Sequence, residues 1–569
     1  MTRPSRLCFA LLALFLPATA LAENPPTIAV DELQPGDRGY GLTVFRGDSI
    51  EKFDVEVIDI FRNALPGQDL ILIRCSRHGE DGYPIEESGV IGGMSGSPIY
   101  FKDRLAGALA YGWGFQKEPI AGVTPIANML AEADRPDDRF GALAPGDPWG
   151  DGPIRPVDTP LVVSGLAPRF YDELRETFEG RHFFPLLGGG GEGAGGQGPT
   201  TLEPGSAVAV SLMEGDVDFA AIGTVTAVLD DGRVLAFGHP FFQAGPVAWQ
   251  MKTAWITTVV KSISRSNKLG HALHPVGTLT KDRQAAVVGH LGEEPELLPI
   301  ECVVKNKATG ASNTFRSRAV DHPSLTPILV NMALSSFAES AEPIMDRNTV
   351  YATVRVQTDT LGTLEVTDLF ASGSGSFDSN LLAPFNLLYA NDFRRVKIQR
   401  IDATLEVVHE DRSAAITSLA VDRRHVRAGE TVECLVTLRQ FDHREEHLVR
   451  IDLAVPEDLA PGQYDLVVQG GNGVLPQYAP PRSPEEIARW ISTWYRADHL
   501  VASLSTPRLA LSYEGTRLDD LPPSVLGSLL TPNASGEVQT VVLEVRSAKE
   551  VPWVVQGTQG LTLVVEERK

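Results

Sequence analysis

Cysteine is scarce in this chain: four residues in 569, one of which, Cys8, lies in an N-terminal apolar run. Cys75, Cys302 and Cys434 are too few and too widely spaced for a disulfide framework or a zinc site, so they read as buried apolar thiols. Positive charge is also short. Fifty Lys and Arg face 73 Asp and Glu, a formal charge of −23, and such a surface repels phosphate backbones and anionic lipid headgroups. Nucleic acid is therefore excluded as a partner. Long hydrophobic runs are missing beyond the N-terminus, where even "VAWQMKTAWITTVVKSI" is interrupted by Lys252 and Lys261. The glycines at 188–196 are not followed by Gly-Lys-Ser/Thr and have no strand-to-helix frame, which makes them a linker and not a phosphate loop. No metal or organic cofactor is called for.

What is present begins with "MTRPSRLCFALLALFLPATALAENPP": two arginines, an apolar stretch, then Ala20-Leu21-Ala22. That is the layout of a signal peptide over residues 1–22, and it predicts an exported protein, periplasmic or extracellular, with no transmembrane segment after cleavage. A chain of 569 residues exceeds one hydrophobic core. Short alternating segments with Gly, Asp and Pro punctuation over 23–135 predict antiparallel strands. The stretch 136–200 reads as a linker with one helix, "APRFYDELRETFEG", and a Gly-rich loop. Strands return over 201–300, where "AVLDDGRVLAFG" is a hairpin turning at Asp231-Gly232. A β-rich connecting domain with one apolar helix, "LTPILVNMALSSFAE", is expected over 301–395, an immunoglobulin-like β-sandwich over 396–480, and a capped helix, "SPEEIARWISTWYRA", plus strands over 481–569. "HREEH", 443–447, matches an inverted zinc-peptidase pattern, but its flanks alternate as strands, so it reads as a hairpin tip.

The chemistry concentrates in "SGVIGGMSGSPIYFKDRLAGALAYGWG", residues 88–114. A serine hydroxyl is a weak nucleophile until a base takes its proton, and the oxyanion it generates needs backbone N–H donors. Gly-x-Ser-Gly-x-Pro supplies the donors: Gly93 and Ser95 N–H groups form the candidate oxyanion hole, with Ser95 as candidate nucleophile.

That stretch, with the preceding "IEKFDVEVIDI", resembles the SpoIVB-type serine peptidases, the sporulation stage IV B peptidase family. The resemblance implies a chymotrypsin-like double β-barrel, serine endopeptidase activity on a protein or peptide substrate, limited or regulatory proteolysis, and a substrate chain flanked by "AGALAYGWG". The family's histidine lies in a Gly-His pair upstream of its serine. Here the similar hairpin, "IGTVTAVLDDGRVLAFGHPF", lies downstream, followed by "GTLTKDRQAAVVG". The two halves are thus in exchanged order, the serine half at 23–135 and the histidine half at 201–300, with His239 as general base. For the acid that orients the imidazole, Asp81 is the nearest aspartate to the serine, with Glu80, Glu86 and Glu87 as rivals and Asp282 a second possibility from the His-then-Asp order.

The expected fold class is accordingly mainly β: a permuted chymotrypsin-like double β-barrel, an immunoglobulin-like β-sandwich and a small C-terminal α+β region. The leading function is an exported serine endopeptidase, with an envelope protein as partner for the C-terminal β domains. The alternative is a non-catalytic envelope binding or scaffold protein that retains the peptidase fold. The linker of 132–200 is the expected site of any self-cleavage.

Overall fold

In the computed structural model, residues 24–567 are described, apart from 115, 137–153, 190–197, 341–346, 372–384, 392, 444, 476–480, 482, 514–515, 519–520 and 530–537. The signal-peptide segment and the centre of the Gly-rich loop lie outside the described residues. No described helix is long and apolar enough to cross a membrane.

Alternating residues such as Phe53, Val55, Val57, Ile71 and Ile73 point to one side of their strands, and the strands roll around them. The strands are β1 (Arg38–Val44), β2 (Ile50–Leu65), β3 (Gln68–Arg77), β4 (Pro98–Phe101), β5 (Arg104–Gly112) and β6 (Ile120–Pro125). They pair in the order β4-β1-β2-β3-β6-β5, and β4 pairs β5 again, so six strands close a barrel. The β4–β5 hairpin turns on Lys102 and Asp103, both at positive φ (52° and 57°), the mark of a two-residue primed turn matched to strand twist. Two short helices, α1 (Ile85–Ser88) and α2 (Ile126–Asp134), flank it.

Within the 136–200 stretch the chain also carries β7 (Arg155–Pro156), β8 (Thr159–Ser164), α3 (Tyr171–Phe178) and β9 (Phe183–Leu187). A second barrel follows from β10 (Ala207–Gly215), β11 (Asp218–Val228), β12 (Arg233–Ala236), β13 (Gly245–Val260), β14 (Asn267–Asp282) and β15 (Val287–Leu291). Its order is β10-β13-β14-β15-β12-β11, and β10 pairs β11 to close six strands again. The two barrels share apolar seams. Leu105, Ala108 and Met129 of the first cluster with Leu235, Ala286 and Val288 of the second, and Val44 clusters with Ala209, Ile222 and Ile256. The mainly β double barrel expected from the sequence is thus present, and the hairpin at Asp231-Gly232 joins β11 to β12 with Gly232 at φ 83°.

The second barrel's sheet runs on through β16 (Leu298–Asn306), β17 (Ser312–Ala319), β18 (Thr349–Thr358), β19 (Thr363–Ala371) and β20 (Ile398–Val408), with the buried apolar helix α4 (Thr326–Ser340) packed on it. The β-sandwich follows. One sheet contains Ser413–Val421, Thr431–Gln440, Glu446–Ala454 and Val554–Gln556; the other is centred on Gly462–Gly470, His499–Tyr513 and Thr558–Glu566. Strands from the last ninety residues therefore complete both sheets, around a core of Val432, Leu438, Ile451, Leu466, Leu500 and Leu563. "HREEH" sits at the turn between Thr431–Gln440 and Glu446–Ala454, which pair antiparallel. The helix α5 (Pro484–Ser492) is capped by the Ser483 side chain, which accepts from the Glu486 N–H.

Candidate active site

The serine loop is two linked turns. Met94 N–H donates to Ile91 O at 3.0 Å, and Ser97 N–H donates to Met94 O at 2.9 Å. Gly93 and Gly96, at φ 90° and 94°, occupy the left-handed conformations this path requires. Gly96 is also a point of close approach: a Cβ there would fall 1.9 Å from Thr224 O and 2.5 Å from Phe237 N. The loop is anchored at both ends. On its own barrel Gly96 N–H donates to Leu109 O at 2.8 Å. Across the seam, strand β11 supplies three bonds: Thr224 N–H to Ser95 O (2.9 Å), Thr224 Oγ1 to Gly93 O (2.9 Å) and Thr226 Oγ1 to Gly96 O (2.7 Å).

The histidine loop leaves β12 at Ala236 and turns through Phe237 and Gly238, at φ 66° and 71°. Phe237 N–H reaches back to Thr224 O at 3.4 Å, the same threonine that holds the serine loop. Gly238 lies against β5, where a Cβ would come within 2.8 Å of the Ala108 Cβ, and its carbonyl accepts from Thr124 Oγ1 at 2.6 Å. Both loops are thereby hydrogen-bonded to β11 of the second barrel and lie against β5 of the first, with Thr124 of β6 adding the hydrogen bond to Gly238. Ser95 and His239 are 0% and 1% exposed, and neither Ser95 Oγ nor His239 Nε2 has a hydrogen-bond partner among the described residues.

His239 Nδ1 lies 2.9 Å from the carbonyl oxygen of Pro240. Burial pushes the imidazole pKa down from 6.5 to about 4, against the upward pull of that carbonyl, and His182 nearby adds to the depression. The ring is therefore neutral at physiological pH. Asp282, fully buried, caps the loop after it, accepting from the N–H groups of Phe241 (2.7 Å), Phe242 (2.7 Å) and Ala244 (3.1 Å). Burial lifts its carboxyl to about 6, and the amide donors hold it from going higher.

The other acids named from the sequence are engaged elsewhere or exposed. Asp81 and Glu80 are exposed in the loop between β3 and α1. Glu86 accepts from Arg77 N–H at 2.8 Å, and Glu87 pairs with Lys261 at 2.8 Å. Gly93 N–H donates to Asp158 O at 3.0 Å, whereas Ser95 N–H makes no hydrogen bond to a described residue.

One residue that the sequence reading passed over sits at the centre. Lys268, on β14, is fully buried; its Nζ donates to Thr43 Oγ1 (2.8 Å) and Thr224 Oγ1 (3.3 Å), its N–H donates to Gly92 O, and its stem lies 3.1 Å from where a Gly93 Cβ would stand. No carboxylate pairs with it among the described residues, and burial lowers its pKa to about 7. In an alternating strand a lysine reads as an outward residue, so no sequence signal pointed to it. His182 and the segment 155–158 were likewise inside a stretch read as linker.

Two closed six-stranded barrels with a glycine-flanked serine and a Gly-His loop on their seam define the chymotrypsin-like class of serine hydrolase architecture. Residues 19–130 match the family described as SpoIVB peptidase S55, a match that supports a SpoIVB-type serine peptidase. The match covers the serine barrel and ends before His239. No curated protein and no solved structure matches the chain.

The three cysteines are buried free thiols, as expected; burial lifts those of Cys75 and Cys302 to about 12 and that of Cys434 to about 11.

Proposed function

We propose that the protein is an exported serine endopeptidase that carries out limited or regulatory proteolysis, with Ser95 as nucleophile and His239 as base. The observation that carries this is the pair of buried, unpartnered atoms on one seam, Ser95 Oγ and His239 Nε2, each on a loop tied to Thr224. A buried hydroxyl and a buried imidazole nitrogen left without partners cost stability, and such a cost is found where chemistry needs the groups free. A carbonyl oxygen can only accept, so Nδ1 of His239 carries the proton and Nε2 the lone pair that a base requires.

In this reading Nε2 takes the Ser95 proton as Oγ attacks the scissile carbonyl, and returns it to the leaving amine. Ser95 N–H and Gly93 N–H are the oxyanion donors. The Pro240 carbonyl does the orienting that an aspartate does in related triads, which leaves Asp81 without a part. The N-terminal layout of 1–22 supports export, and the β-sandwich offers a surface for an envelope partner.

A fluorophosphonate probe tests the proposal. Ser95 should be labelled in the folded wild-type protein, and Ser95→Ala should abolish the signal. Absence of labelling, together with no cleavage of any test protein, would leave the non-catalytic binding protein as the better reading.

A further inference from the structure

The edge of β5 beside the serine loop is already occupied. Arg155 and Pro156 pair antiparallel with it in the register Tyr111 to Pro156 and Gly112 to Arg155. Val157 N–H then donates to Ala110 O at 2.8 Å, and Asp158 O accepts from Gly93 N–H at 3.0 Å. The next amide, Thr159 N–H, donates to the carbonyl of His182, the residue that helps depress the His239 pKa. Residues 155–159 thus run from the β5 edge, past the Gly93 N–H, to the carbonyl of His182. An extended peptide presenting a carbonyl to Ser95 has to take that path, because strand addition to an exposed edge is how a peptide backbone is held and the oxyanion donor is where its carbonyl must point.

The segment is well held. Pro156 has no N–H to leave unsatisfied and a fixed φ. Val157 is 6% exposed and belongs to the core cluster of the serine barrel, and the Asp158 carboxylate lies 3.6 Å from Arg265 of the β13–β14 loop. Yet the carbonyl is only half seated. Gly93 N–H reaches it, while Ser95 N–H donates to no described residue. A carbonyl bound by one of two donors lacks the stabilisation that attack requires, so the segment is retained and not consumed.

We propose that residues 155–158 are a pseudosubstrate strap that inhibits this peptidase in cis, and that substrate gains the β5 edge only when the strap is displaced. This rests on the peptidase reading above and adds its regulation and the sequence class that the acyl side accepts, an extended chain with proline followed by a β-branched apolar residue. Being part of the same chain, the strap competes at an effective concentration in the millimolar range for a short tether. A substrate in trans at micromolar concentration is outcompeted unless a partner or a modification lifts the strap.

The test uses the full-length protein and a fluorophosphonate probe. Val157→Asp places a charge in the apolar site, and Val157→Pro removes the donor to Ala110 O. Each is checked for folding by circular dichroism. The folded variants should label at Ser95 about 10-fold or more faster than wild type, within the range that intramolecular competition supplies. A synthetic peptide of residues 154–159 should slow labelling of the variants and leave wild type unchanged. Equal labelling rates in wild type and folded variants, with no effect of the peptide, would overturn the strap while leaving the peptidase reading in place. Labelling of none of the proteins would overturn both. Where both variants fail to fold, hydrogen exchange on wild type decides: the Val157 amide should exchange faster after Ser95 is modified by a peptidyl phosphonate, and unchanged exchange rejects the proposal.

Discussion

His239 Nδ1 is hydrogen-bonded to the carbonyl of the very next residue, Pro240, at 2.9 Å, and the loop that presents this carbonyl is clamped by Asp282 through three backbone amides. A carboxylate is therefore involved in orienting the imidazole, but at one remove. It rigidifies the turn and the turn's carbonyl fixes the tautomer. The arrangement lacks the anion that stabilises an imidazolium in a Ser-His-Asp triad. It also leaves the histidine a weaker base, since only the Pro240 carbonyl opposes the desolvation that lowers its pKa.

The pH dependence follows with a definite sign. A base acts once deprotonated, so the acid limb of kcat/KM should fall near pH 4, where His239 titrates, and not near 6.5. Folding is linked the same way. The folded protein resists protonation of His239, and His322 is likewise lowered to about 4 by burial, so their stability contributions are complete above 6.5 and decline as pH falls toward 4. A pH-rate profile with a limb at 6.5 or above would contradict the buried, neutral imidazole.

Ser95→Ala should separate activity from stability. Ser95 Oγ is buried without a partner, so its removal abolishes probe labelling while raising unfolding free energy by about 1 kcal/mol. Denaturant unfolding measures the second effect. A loss of stability on removing the hydroxyl would mean that Oγ is satisfied after all.

Asp282→Ala should do the reverse. It leaves the amides of Phe241, Phe242 and Ala244 without acceptors in a buried site, a cost on the order of 3 kcal/mol or more. Activity should fall with it, because the Pro240 carbonyl no longer holds the ring. Asp81→Ala, at an exposed position, should change neither stability nor labelling; a loss of labelling there would restore Asp81 as the acid.

Much of the architecture could be read from period-two alternation and turn residues, because those patterns arise from backbone geometry that each strand carries locally. The hairpin at Asp231-Gly232, the capped helix at Ser483 and the apolar helix from Thr326 are of this kind. The candidate serine loop was legible because its glycines announce positive φ and close approach, as at Gly93 and Gly96, whereas His239 was reached through the resemblance of its Gly-His hairpin. What escaped depends on contacts between distant segments. Asp282 was named as an alternative acid for the histidine, but that it caps the amides of the loop after His239 depends on a contact across 43 residues that nothing near it in the chain announces. Arg155-Pro156 looked like linker because proline and glycine surround it, and only the partner edge on β5 makes it a strand. Membership of the C-terminal strands in the sandwich was hidden for the same reason, since sheet partners are chosen across the whole domain.

Lys268 yields the sharpest contrast between folding and function. Its amine is buried without a counter-charge among the described residues, and the two threonine hydroxyls it reaches are weak compensation for desolvating an ammonium. Because the folded pKa is near 7 and that of a free lysine 10.5, the unfolded chain binds the proton more tightly between those values. Stability should consequently rise with pH above 7, by up to about 1.4 kcal/mol per unit. Above pH 9 the buried thiols of Cys75 and Cys302 oppose this, so the informative window is pH 7 to 9. Lys268→Met should be more stable than wild type at pH 7, and the gap should shrink toward pH 9. The same variant should label with fluorophosphonate roughly 10-fold more slowly, a fraction of the 10²–10³ lost when an oxyanion donor is removed outright. The reason is geometric: Lys268 Nζ holds Thr224 Oγ1, Thr224 Oγ1 holds Gly93 O, and that carbonyl sets the plane of the peptide beside Ser95. A Lys268→Met protein that gains stability and labels at the wild-type rate would show that the lysine serves neither the fold nor the serine loop.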